Sequence, residues 1–441
     1  MRITACGDAL YSSRNLARRL DRRIVDAFRQ ADAGFINAEF CCPAYDTAPA
    51  PRRFVTAVPA EALAELADLN IKLVGFANNH AGDFGQQGVL DTIAAAQAHG
   101  LIHGGIGRSL YEARSARFLD TPKGRIGFVA AGSTRASDFA ASAPGAGVAA
   151  RPGLNPLRFG RAYVLPPAEF EQMQRIDAML GTAASRREVF AVEVMKDPGP
   201  DKFAFGSVFE GSLTIERGER AHVRYFLNEG DAKAIVENIR DAANRSDVVV
   251  ASLHTHEGAE ENWYHPRVAS IIEDFAHRAV DAGAHVVFCH GAHMLRGIEF
   301  YKGRPIFYSL NSLLMEFEAG EQRMTPEMYE GFGLDADALP SQMHMSRVTD
   351  KAGNKIGFYA DTRFSKSIMA LCDFEDGAVK VTLQPLDLDL NRARPAERGV
   401  PAIPAPALAR EICDDMTRLS QYYGTRFTLD ETSGLITVTA P

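Results

Sequence analysis

With 441 residues, 46% hydrophobic and 24% charged, the chain has the composition of a globular enzyme, long enough for two or three domains or one enlarged by insertions. Its net charge of −8 excludes the overall basic character that nucleic acid or an acidic membrane surface selects, and no apolar run approaches the roughly 18 residues a membrane span needs. Six cysteines (Cys6, Cys41, Cys42, Cys289, Cys372, Cys413) form no CxxC pair, which excludes a disulfide scaffold and a thiolate metal site. Free thiols, and an N-terminus with no apolar signal core, set the expectation of a cytoplasmic protein unless a leader has been removed.

In chain order, the apolar run 2–6 ends at Gly7-Asp8 and predicts a buried strand with Asp8 at its tip. A helical stretch reaches about Arg29, and a second strand, 34–39, ends at Glu39. Leu63, Leu66 and Leu69 predict a helix over 59–69. The strand from Ile71 to Phe76 runs into Ala77-Asn78-Asn79-His80, and Val89, Ile93 and Ala96 share one face of the following helix. The Gly104-Gly105-Ile106-Gly107 stretch reads as a plain turn. Turn chemistry at 151–156 precedes a helix over 167–180 and a β-rich excursion over 185–228. The rhythm resumes with a strand at 248–253, a helix at 266–282 and strands at 286–289 and 305–308. Residues 318–366 read as a second, loop-rich excursion. A Pro-rich linker then leads to a helix and a β-hairpin near Phe427–Val438. Repeated strand, loop and helix argue an α/β fold with function at the strands' carboxyl ends. The expected organisation is one catalytic domain over 1–390 and an appendage over 391–441.

Seven of the 12 histidines fall between His254 and His293, four of them as His254-Thr255-His256 and His290-Gly291-Ala292-His293 after predicted strands. Imidazoles at adjacent strand ends converge readily on one ion. Asp8, Glu39 and Asn79 stand at three further strand ends, and carboxylate, amide and imidazole together suit manganese, iron or zinc. Taken singly, each has an ordinary reading: a strand-end Asp caps a turn, and Asn tolerates left-handed backbone. Five strand ends all presenting ligand types favour a metal centre. The phosphate-loop, nucleophile-elbow and HExxH patterns are all absent.

Gly7-Asp8, Asn37-Ala38-Glu39, Ala77-Asn78-Asn79-His80 with Asp83-Phe84-Gly85, and the run from His290 to Tyr308-Ser309-Leu310 together resemble the CapA capsule-synthesis family, a branch of the calcineurin-like metallophosphatases. Arg151-Pro152-Gly153 and Asn155-Pro156-Leu157 are similar to a segment of one subgroup. The resemblance, over about residues 2–315, implies a four-layer αββα sandwich with one or two divalent ions at the strand ends. It implies Asp8, Glu39, Asn79, His254 and His290 or His293 as ligands, and His80, oriented by Asp83, as general acid or base. Two positions depart from the pattern. Leu10 stands where Asp-x-His is usual, and His256 is the expected substitute; Asn311-Ser312 follows Leu310 where Gly-Asn is common.

Arg151, Asn155, Arg158 and Arg161 are the candidates for holding an anionic substrate group. The expected activity is a metal-dependent hydrolase of a small or peptide-like amide or ester. A metal-assisted lyase or epimerase is the alternative, and a binding protein without metal the third reading. The excursions, with Phe203, Phe205, Phe209, Met324, Met328, Met343 and Met345, are candidates for walling a closed pocket. The expected partner is a small-molecule or peptide-like substrate, with no nucleic acid and no membrane; a homo-oligomer stays open.

Overall fold

Apolar runs flanked by turns make buried strands, and three of them, Arg2–Leu10, Ala33–Ala38 and Ile71–Gly75, lie parallel and adjacent in the computed structural model, which describes residues 1–316 and 323–441. Ile102–Gly104 continues this sheet on one side. On the other, Lys366–Glu375 pairs antiparallel with Arg2–Leu10 and folds back as Ala378–Asp387. The C-terminal hairpin, Arg426–Leu429 with Ile436–Thr439, pairs onto that last strand, so the expected appendage continues the main sheet.

A second sheet is centred on Gly124–Gly132, Val248–Thr255 and Val286–Gly291, again parallel. The two sheets face one another across a core in which Phe35 from the first stacks on Phe288 at 5.1 Å and meets Phe128 edge-on at 5.8 Å. Helices Arg22–Arg29, Ala62–Asp68 and Gly85–Ala98 cover the outer face of the first sheet. Helices Glu229–Ala243 and Ser270–Asp281 cover that of the second. The order is the four-layer αββα sandwich that the resemblance implies. Helix Pro406–Ser420 sends Ile412, Cys413 and Met416 into the inter-sheet core.

Several local expectations need correction. The glycine stretch at 104–107 is no plain turn: it links strands Ile102–Gly104 and Ile106–Gly107. Gly105 is required at the junction, because its φ is +83° and a Cβ there would lie 2.4 Å from that of Ala77. The excursion expected to be β-rich from 185 begins with a helix, Thr182–Val192, built of good helix formers. Its later strands, Lys202–Phe205, Leu213–Arg217 and His222–Leu227, join Phe159–Leu165 in a four-stranded sheet. Phe203 fills that lobe's own core against Phe170, while Phe209 is exposed. In the second excursion, residues 318–322 lie outside the described residues; the rest holds helices Pro326–Gly331 and Pro340–Val348. There Met328 and Met343 pack with Val55 and Phe84, and Met345 is exposed. The six cysteines are buried and free. Among the described residues no helix is long and apolar enough to cross a membrane.

Candidate metal centre

Parallel strands deliver their carboxyl ends to one rim, and there the predicted ligands meet. Asp8, Glu39, His254, His256, His290 and His293 are all buried. They form two groups, Asp8 with His254 and His290, and Glu39 with His256 and His293, each with ligand atoms within 4.8 Å of one another. Asp8 lies 3.3 Å from the Nδ1 of His290 and 3.5 Å from that of His254. Glu39 lies 3.4 Å from the Nε2 of His293 and links the groups, its other oxygen being 3.7 Å from His254. The Oδ1 of Asn79 is 2.6 Å from the Nε2 of His254. His256 falls in the second group, with Glu39 and His293, and not in the group of Asp8.

Neighbouring groups fix these side chains. Asn37 donates to the Oδ1 of Asp8 at 2.8 Å, and the Gly291 amide donates to its Oδ2 at 2.8 Å. Ser252 contacts the Nε2 of His290 at 2.9 Å. Arg296, wholly buried, donates to the carbonyls of His256, Trp263 and His265 and so pins the loop that carries His256. Glu257 accepts from the hydroxyls of Ser133, Thr134 and Thr255, anchoring the same loop from the other side.

The electrostatics suit a cation. Burial alone would raise the Asp8 carboxyl, but contacts with His254 and His290 outweigh it and hold Asp8 well below the usual carboxylate range. Burial, then the charges of Asp8 and Asp83, push Glu39 well above that range. Burial pushes His254 down to about 4, and lowers His256 and His293 as well, which favours at these three the neutral imidazole that ligates metal. The Oε2 of Glu39 and the Nε2 of His256 are buried with no hydrogen-bond partner. Orphaned buried polar atoms are costly, and both belong to the second group, so the residues present fit a divalent ion.

Beside the centre, the Nδ1 of His80 lies 2.6 Å from Asp83, whose carboxylate can only accept, so this nitrogen carries the proton. Asp83 is held in turn by Arg52 at 2.8 Å and the Thr56 amide at 2.7 Å. The opposite nitrogen of His80 faces Glu39 at 3.9 Å. Phe54 packs edge-on against His80 and Phe358 against His293, at 5.8 and 5.7 Å between ring centres.

The structure does not bring the candidate substrate-binding residues to this cluster. Arg158 pairs with Asp231 at 2.6 Å, and Asn155 donates to the Ala130 carbonyl at 2.8 Å. Arg151 donates to the Ala140 carbonyl at 3.0 Å. Arg161 pairs with Glu261 at 2.7 Å. Sequence reasoning missed Arg52, Ser252, Glu257 and Arg296 as supports. An arginine in a Pro-Arg-Arg turn, or one following Met-Leu, carries no local mark of burial.

The uncharacterized protein y4sH of Sinorhizobium fredii is 30% identical over 429 residues, 94% of this chain and 87% of its own. A probable polyglutamine synthesis accessory protein of Mycobacterium tuberculosis is 24% identical over 57% of this chain and 47% of its own. A crystal structure described as a novel phosphatase, from Mycoplasma pneumoniae, aligns with 88% of each chain at 11% identity and a TM-score of 0.36. The model of the bacterial capsule synthesis protein PGA_cap matches residues 2–316, which carry every ligand candidate, and the chain belongs to that family.

Proposed function

We propose that the chain is a metal-dependent hydrolase of a small or peptide-like ester or amide, with His80 as its general acid or base. The observation that carries this reading is the His80–Asp83 pair, 2.6 Å apart, directed at a buried cluster of two carboxylates and four imidazoles. Asp8, His254 and His290 would hold one ion and Glu39, His256 and His293 a second, with Asn79 at their edge. A divalent ion bound there supplies Lewis acidity, making water a nucleophile at neutral pH and polarising a substrate oxygen.

The chain's own residues do the rest. Asp83 keeps the Nδ1 proton of His80 in place, which leaves the Nε2 to take a proton from the attacking group or return one to the leaving group. Arg52 and Thr56 keep Asp83 oriented. Phe54 and Phe358 narrow the water-accessible space beside the two histidines. That burial also supports a second reading, a lyase or epimerase moving a proton on a small organic molecule in a closed site.

The test is turnover of an ester and amide panel by the metal-loaded protein in heavy-oxygen water. A hydrolase places solvent oxygen in the product, and His80→Ala lowers its rate about 10²–10⁴-fold. Product free of solvent oxygen sinks hydrolysis in favour of proton transfer. An unchanged rate in His80→Ala removes the assigned role of His80.

A further inference from the structure

Apolar surface is concentrated on the lobe that carries the four-stranded sheet. Among the described residues, nine of the 18 large apolar side chains that are exposed fall between 176 and 226. Single exposed apolar residues are ordinary, but a concentration of them marks a surface that another molecule covers. Six lie at or just beyond the carboxyl ends of two consecutive helices, Pro167–Met179 and Thr182–Val192. They are Ile176, Met179 and Leu180 after the first, and Val192, Val194 and Met195 after the second. Met179 and Val194 are 86% and 90% exposed. Val194 also has φ +53°, a left-handed backbone that a β-branched residue adopts only at a cost.

The second helix has 11 residues, too few to be stable alone in water, yet none of its side chains is fully buried. Polar contacts hold its inner face: Arg186 donates to Asp177 at 2.7 Å and to the Ala204 carbonyl at 2.5 Å, and its guanidinium lies 5.3 Å from the centre of the Phe203 ring. Val189 and Phe190 are half-buried on that same face. On the opposite face Ala184, Arg187, Glu188 and Ala191 are all exposed. Ala184 and Ala191, two turns apart, form a flat centre line, with Arg187 on one flank and Glu188 on the other. Among the described residues neither Arg187 nor Glu188 has an ion-pair partner.

We infer that this face of the lobe pairs with the same face of a second copy of the chain, the two helices parallel and related by a two-fold axis. In that arrangement Ala184 and Ala191 meet their own counterparts, and Arg187 of each copy meets Glu188 of the other. An antiparallel pairing would set Arg187 against Arg187 and Glu188 against Glu188, so charge selects the parallel one. An 11-residue helix is about 16 Å long, so an interface of roughly 800 Å² per copy also encloses the flanking Met179, Leu180, Val192 and Met195. The charge balance disfavours a membrane as the occupant. Residues 167–197 carry four basic and six acidic side chains, whereas helices that lie on membranes are rich in lysine and arginine. The pairing is independent of the metal centre and of the proposed reaction.

Sedimentation velocity of the purified full chain over a range of micromolar concentrations tests it. The expected result is a concentration-dependent dimer. Ala191→Glu, which keeps a good helix former but sets two carboxylates face to face, is expected to be monomeric. Arg187→Glu and Glu188→Arg each replace two attractive pairs with two repulsive ones, and each weakens the dimer at least about tenfold. An equimolar mixture of these two variants restores it, because one copy then presents two carboxylates and the other two cations. All three positions are exposed, and recovery in the mixture shows that neither charge variant has unfolded. A monomer at every concentration overturns the interface, and one that binds phosphatidylcholine vesicles gives the apolar face to a membrane instead. An oligomer unchanged in Ala191→Glu and in both charge variants places the contact elsewhere and also overturns it. So does a mixture that stays monomeric where the unaltered chain dimerises.

Discussion

Replacing Arg296 with methionine tests whether the loop carrying His256 is held from beneath. The wholly buried guanidinium donates to three carbonyls, at 3.1 Å to His256, 2.8 Å to Trp263 and 3.2 Å to His265. Hydrogen bonds to a charged group contribute about 1.5–3 kcal/mol each, which gives a gross loss of roughly 4.5–9 kcal/mol. Against this stands the cost of burying the charge. Burial pushes the Arg296 guanidinium down to about 10, which at about 1.4 kcal/mol per tenfold amounts to about 3 kcal/mol. At neutral pH the group is charged both folded and unfolded, so that cost is present in full and is relieved by the substitution. The expected net destabilisation is therefore about 2–6 kcal/mol. Urea unfolding followed by Trp263 emission measures it, since Trp263 lies on the affected loop. The variant also binds less metal at the Glu39, His256 and His293 group than at the other. An unchanged midpoint with unchanged emission would refute the assignment of Arg296 as the anchor.

Elemental analysis of single variants is expected to divide the metal centre: Glu39→Gln and His256→Ala lose one ion, Asp8→Asn and His290→Ala the other; simultaneous loss of all metal in every variant contradicts two groups. Burial, then the nearby Arg117, pushes His103 down to about 4, so it folds neutral while the unfolded chain takes up a proton near 6.5. Stability is then lost as pH falls from about 6.5 towards 4, by up to about 3 kcal/mol, and His103→Leu removes that share of the acid sensitivity; identical pH profiles would count against it. Phe35→Ala, which empties the position between Phe128 and Phe288, is expected to cost about 3–5 kcal/mol in denaturant melts. A cost below about 1 kcal/mol would mean that the inter-sheet core repacks around the gap.

The residues of the candidate metal centre were legible one by one because each stands at a strand's carboxyl end, and parallel pairing brings neighbouring strand ends to one rim. Asp8, Glu39 and Asn79 end successive strands of one sheet, while His254 and His290 sit side by side in the other. Their division into two groups was not legible, since it depends on how the sheets face each other. The hairpin Lys366–Glu375 and Ala378–Asp387 escaped for a related reason. Its partner, Arg2–Leu10, lies at the other end of the chain, and no local pattern announces so distant a pairing.

The α/β alternation, the candidate ligand types and the His80–Asp83 pair are readable from the chain alone, because strand ends and three-residue spacings are local properties. Folding alone settles that Arg158 and Arg161 are occupied by Asp231 and Glu261 and that Arg296 is buried beneath the site. An arginine's charge is written in the sequence, but what neutralises it is set by distance in space, and these partners come from segments that only folding brings together.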